Sequence, residues 1–217
     1  MTTLTLPCPA VLFDVDGTLV DSTPLVERAA RRWAAEYDID PDEFLSGAHG
    51  RRTSDRIADF LPPERVRAAT EHLDALEAAD VAGVTALPGA RELLAAMDGL
   101  PWAMVTSMDP AQLKARTEAA GIPLPEVVVT ASDVHVGKPD PAGYLLAARR
   151  LGVDPRACVV IEDAPAGVAA GRAAGATVVA VTTSHDRSEL TAADLIVPGL
   201  TPFARVPEGL RITIRDR

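Results

Sequence analysis

Asp14 and Asp16 stand two residues apart just past the apolar run Ala-Val-Leu-Phe that ends at Phe13. Three more sites repeat the pattern: Thr106 and Ser107 end the run from Trp102, Glu162 and Asp163 end the run from Ala157, and Lys138 follows the run through 126–131. A tight turn accounts for Asp16-Gly17, because Asp-Gly suits a reversal. It does not account for Asp14. Brought together, two carboxylate pairs, a hydroxyl and an ammonium define a chemistry. Carboxylates ~4 Å apart repel by roughly 4 kcal/mol per pair at an effective dielectric of ~20, so a cation must sit among them. Oxygen-only ligands in a small crevice suit Mg²⁺. A lysine beside that metal neutralises phosphoryl oxygens, and Thr106 with the backbone amide of Ser107 can hydrogen-bond them.

The elements that must position these residues follow from the same runs. Short apolar segments at 10–14, 102–107, 126–131, 157–163 and 177–182 read as buried parallel strands. Helical stretches at 109–121, 140–152 and 164–175 lie between them, each opening near proline and closing at glycine. The alternation predicts an α/β fold with a doubly wound, Rossmann-like parallel sheet, in which ligands bind at the carboxyl ends of the strands. Residues 24–86 break the alternation with long helical patterns and no strand-like run, which predicts an inserted all-α cap over 23–86 and a core made of 1–22 and 87–217. The connections at 20–24 and 83–90 carry the small residues and prolines expected of hinges. Asp21 is expected to cap the helix that begins near Pro24. The C-terminal segment RITIRDR reads as a terminal strand.

Composition narrows the function classes. A net charge of -10 disfavours nucleic-acid backbones and anionic membranes as partners, so a small phosphorylated metabolite needs a local cationic site. Arginine outnumbers lysine 19 to 2, which singles out Lys138. Cys8 and Cys158 are too few for a disulfide framework and lack metal-ligand spacing, so both are expected to be reduced and structural. The amino terminus has neither a cationic n-region nor a proper apolar segment, which predicts a cytoplasmic protein. A monomer or weak homodimer is expected.

The motifs DVDGT, VTS, GKPDP and EDAPAG, in that order, resemble the four motifs of the haloacid dehalogenase superfamily. The helical insertion resembles the cap of its β-phosphoglucomutase-like branch, and SGAHGRRTSDRI together with the later motifs looks most like the glycerol-phosphate and 2-deoxyglucose-6-phosphate phosphatases. The resemblance implies that Asp14 is the nucleophile, forming an aspartyl-phosphate, and that Asp16 is the general acid and base. It implies that Asp14, the backbone carbonyl of Asp16, and Asp163 hold Mg²⁺, with Glu162 ligating directly or through water. Thr106, Ser107 and Lys138 are then the phosphate-binding residues. In the cap it points to His49, Arg52 and Thr53 as substrate-reading residues, with Arg52 matching the cap motif more closely than Arg51.

Residues separate the reactions within that superfamily. Asp16 argues against a dehalogenase, which needs no acid at that position. The insertion contains no lysine that could form a Schiff base, which closes the phosphonate-hydrolase route. A phosphosugar mutase shares the catalytic residues and remains the alternative to hydrolysis. A phosphoryl-accepting signalling domain would lack the helical cap and place its acceptor on a middle strand of the sequence.

Overall fold

The structure is a computed structural model that describes residues 2–46 and 50–214. In chain order, β1 (Thr2–Pro7), β2 (Val11–Phe13) and β3 (Val20–Asp21) precede four helices, α1 (Thr23–Tyr37), α2 (Pro41–Leu45), α3 (Thr53–Ile57) and α4 (Pro63–Ala79). Next come β4 (Thr85–Ala86), α5 (Ala90–Ala95), β5 (Trp102–Val105), α6 (Pro110–Ala120), β6 (Val127–Val129) and α7 (Ala142–Leu151). The chain finishes with β7 (Val159–Glu162), α8 (Pro165–Ala173), β8 (Thr177–Val181), β9 (Leu195–Val197), β10 (Phe203–Val206) and β11 (Gly209–Ile214).

Six strands form one parallel sheet in the order β6-β5-β2-β7-β8-β9. Strand β2 is central and Val11, Leu12 and Phe13 are wholly buried, because helices cover both faces of the sheet and the strand must be apolar on each side. Two hydrophobic layers result, one holding Phe13, Met104 and Ile161 and the other Leu12, Val105 and Val160. Five of the six strands are those expected from the sequence. The sixth, β9, is only three residues long and just Val197 is buried, so it offers no apolar run to read.

The helices obey local chemistry. Asp109 caps α6 by accepting from the amides of Ala111 and Gln112, Pro110 opens the helix, and Gly121 closes it in the left-handed region. The helix expected at 164–175 runs from Pro165 to Ala173. Asp21 departs from the expectation. The N-cap of α1 is Ser22, and Asp21 acts from one residue earlier by accepting the Thr23 amide at 3.1 Å. The C-terminal strand pairs antiparallel with β1 and β10 in a small separate sheet, an N-terminal partnership not anticipated from the sequence because β1 is largely exposed.

Helices α1 to α4 enclose their own apolar cluster, in which Trp33 stacks against Tyr37 and Phe44 and donates its indole N–H to the Ala69 carbonyl. The chain enters and leaves them through the two-stranded ribbon of β3 and β4, where Val20 pairs with Ala86 and Asp21 with Thr85. Beyond the ribbon, Gly89 has φ +87°, and a Cβ there would lie 2.7 Å from the Thr201 amide nitrogen, so only glycine fits. Both cysteines are buried and free, as expected.

Candidate active site

The carboxyl-terminal edge of the sheet brings the chemical residues together. Strand β2 delivers Asp14, β5 delivers Thr106 and Ser107, β7 delivers Glu162 and Asp163, and the loop after β6 delivers Lys138. Asp14, Thr106, Lys138, Glu162 and Asp163 are all buried. The chain turns so tightly after Asp14 that a Cβ on Gly17 would come within 2.1 Å of the Asp163 carboxylate. That close approach, at φ +77°, requires glycine.

Carboxylate oxygens of Asp14, Glu162 and Asp163 lie within 4.8 Å of one another. Lys138 Nζ contacts Asp14 Oδ1, reaches Glu162 Oε1 at 2.6 Å and donates to the Val105 carbonyl at 3.2 Å. Glu162 is saturated: Oε1 accepts from Lys138 and from the Tyr144 hydroxyl at 2.7 Å, and Oε2 accepts from the amides of Asp163 and Ala164. Asp163 accepts from Thr18 at 3.1 Å and from the Ser184 hydroxyl.

One ammonium does not neutralise three buried acids. Burial raises the Asp14 carboxyl well above its ordinary range, the charges of Glu162 and Asp163 add to this, and Lys138 opposes it. Asp163 is pushed up to about 7, first by burial and then by Glu162. Burial would lower the Lys138 ammonium, but Asp14 and Glu162 outweigh it and hold the charge. A cluster this acidic, with oxygen donors only and more negative charge than Lys138 offsets, fits a hard divalent cation.

Asp16 points the other way, toward the helices of residues 24–86. Its Oδ2 pairs with Arg116 Nη1, and Arg116 Nη2 pairs with Glu77 of α4. Arg116 is 1% exposed and Glu77 is buried, so the Arg116–Glu77 arm is desolvated, while Asp16 stays partly exposed to the cleft. Gln112 adds a second tie by donating to Glu77 at 2.8 Å and Asp74 at 3.1 Å. Ser107 Oγ donates to the Gly50 carbonyl at 2.9 Å, a third contact between the two parts of the chain.

The cleft over Asp14 is lined from above by Arg51, Thr53, Arg56 and Glu77. Arg52 lines an adjoining pocket with Thr106, Ser107 and Lys138, and it donates to the carbonyls of Val134 (2.6 Å) and His135 (3.0 Å), in the loop that leads to Lys138. Arg51 lines the cleft while pairing with Asp59 at 2.8 Å. His49 lies outside the described residues. Sequence reasoning missed Arg116, Glu77, Arg56 and Tyr144. Arg116 and Arg56 are two among 19 arginines, and Tyr144 occupies an apolar position of its helix, where it reads as core.

The open parallel α/β sheet thus gathers buried acids round one lysine at its carboxyl edge, where such folds bind their ligands. The chain belongs to the haloacid dehalogenase-like hydrolase family, whose profile matches residues 8–175. It is 45% identical to hexitol phosphatase A of Escherichia coli strain K12, over 89% of this chain and 92% of that protein. It is 38% identical to 2-deoxyglucose-6-phosphate phosphatase 1 of Saccharomyces cerevisiae, over 90% of this chain and 89% of that protein. Among solved structures, β-phosphoglucomutase from Clostridium difficile superposes with a TM-score of 0.72 at 25% identity, covering 89% of this chain and 92% of that one.

Two predictions follow from the electrostatics. Replacing Arg116 with alanine leaves Glu77 buried without its counter-charge and should destabilise the fold by about 3–5 kcal/mol, read by urea unfolding at neutral pH. Because folding raises the Asp163 pKa from 3.8 to about 7, its stabilising contribution is complete below pH 4 and is lost as pH rises toward 7. In EDTA the melting temperature should therefore be lower at pH 8 than at pH 5 by more than in an Asp163→Asn variant. An added divalent cation should restore more at pH 8, because it binds the deprotonated cluster.

Proposed function

We propose that the protein is a Mg²⁺-dependent phosphatase that hydrolyses a small phosphorylated polyol or sugar through an aspartyl-phosphate. The observation that carries this reading is the buried Asp14 carboxylate in contact with Lys138, with Asp16 two residues further on. Residues 23–86 act as a cap over a core made of 1–22 and 87–217, which the separate apolar cluster of α1 to α4 supports. The two buried free thiols fit a reducing compartment such as the cytoplasm. Among the described residues no helix is long and apolar enough to cross a membrane.

Asp14, Asp163 and the Asp16 carbonyl would hold Mg²⁺, with Glu162 reaching it directly or through water; the metal's charge would draw the phosphoryl dianion in and polarise it. Since Glu162 already has four donors, its main contribution is to orient Lys138. The Asp14 carboxylate attacks phosphorus as the bond to the leaving oxygen breaks, and Asp16 protonates that oxygen. Asp16 then takes a proton from the water that attacks the acyl-phosphate, which releases phosphate and frees Asp14. Lys138, the Thr106 hydroxyl and the Ser107 amide balance the charge on the phosphoryl oxygens. The bridge to the buried Arg116 keeps Asp16 directed at the cleft and away from the carboxylate cluster.

Phosphate release from a panel of hexitol, 2-deoxyglucose and glycerol phosphates should require Mg²⁺ and stop in EDTA. Interconversion of β-glucose 1-phosphate and 6-phosphate on adding a bisphosphate primer, with no phosphate release, would replace hydrolysis by mutase activity. Asp14→Asn should lower kcat by at least about a thousand-fold, and Asp16→Ala by roughly 10²–10⁴-fold, with circular dichroism unchanged in both. Turnover close to that of the unaltered protein in either variant would remove that residue from the mechanism.

A further inference from the structure

Arg56 of α3 is 6% exposed, and its guanidinium packs over the Phe44 ring with 4.5 Å to the centroid. Its Nε and Nη2 are buried and without a hydrogen-bond partner. Burying two guanidinium donors without acceptors is costly, and a ligand that supplies acceptors would remove that cost. Arg56 lines the cleft above Asp14. Two further buried atoms without partners belong to residues lining that cleft, Arg116 Nε and Asp16 Oδ1.

Three residues that line one space thus keep buried donors and an acceptor unspent. The charges around it are mixed: Arg56 and Arg116 are cationic, while Asp16 and Glu77 are anionic, with Asp74 close behind through Gln112. A second phosphate or a carboxylate would meet Glu77 as well as Arg56. A hydroxyl can accept from one neighbour and donate to the other, and a chain of hydroxyls can do so repeatedly.

We propose that Arg56 is a specificity-determining residue that hydrogen-bonds a hydroxyl of the neutral, polyhydroxylated leaving group, from the cap side of the cleft. The proposal rests on the phosphatase reading above and deepens it. The leaving group's hydroxyls satisfy Nε and Nη2 of Arg56, and an alkyl phosphate of the same length leaves those donors unpaired. A site built for hydrogen bonds rejects the analogue that lacks them.

The test compares kcat/KM for glycerol 1-phosphate with that for n-propyl phosphate, which has the same carbon chain and no free hydroxyls. The unaltered enzyme should prefer glycerol 1-phosphate by at least roughly ten-fold. Arg56→Met should bring the ratio close to one, mainly by raising KM for glycerol 1-phosphate, and Arg56→Lys should fall between the two. Equal kcat/KM for the two esters in the unaltered enzyme would overturn the subsite, and that comparison holds even if Arg56→Met folds poorly. A loss in Arg56→Met that is the same for both esters would also overturn it. Failure of both esters, and of every other phosphomonoester tried, would instead overturn the phosphatase reading, and the subsite with it.

Discussion

The ammonium of Lys138 lies where three strands end, in contact with the carboxylates of Asp14 and Glu162, and no other basic side chain among the described residues pairs with either acid. The rest of the edge is arranged around that single charge. Three desolvated carboxylates repel one another, and the loop after β6 must bring its lysine back over the strand tips for the sheet to close there at all. Tyr144 and two backbone amides complete the coordination of Glu162, so the lysine is held from behind. The compensation is incomplete, as the raised Asp14 and Asp163 carboxyls record. That residual acidity is what makes the same cluster a cation site.

A second bridge, from Asp16 through the buried Arg116 to Glu77, does for the helical insertion what Lys138 does for the strand tips. It ties the candidate acid and base to both parts of the chain. The two arginines of the Arg51-Arg52 pair divide the remaining work: Arg51 faces the cleft, and Arg52 fastens the insertion to the loop carrying Lys138. A Cβ on Gly137 would come within 2.8 Å of Arg52 Cδ, which shows how closely that fastening is made.

The parallel sheet was legible because strands covered on both faces must be continuous apolar runs, and the acids at their ends interrupt those runs at the tips. Lys138 was legible because lysine is rare in this chain. Other features carry no such mark. The cap motif favours Arg52 over Arg51, yet it is Arg51 that lines the cleft over Asp14, because Arg52 is drawn to the carbonyls of Val134 and His135. The partners Arg116 and Glu77 are 39 residues apart on different helices and meet only when the insertion packs on the core. Strand β9 is too short, and β1 too exposed, for periodicity to declare them.

The central claim is that Asp14 accepts the phosphoryl group. The direct measurement is to quench the enzyme with acid during turnover of a ³²P-labelled phosphomonoester, reduce with borohydride and map the modified peptide by mass spectrometry. The account predicts a hydroxylamine-labile phosphoenzyme, with Asp14 converted to homoserine. Label on another residue, or turnover that reaches steady state with no phosphoenzyme formed, would contradict it.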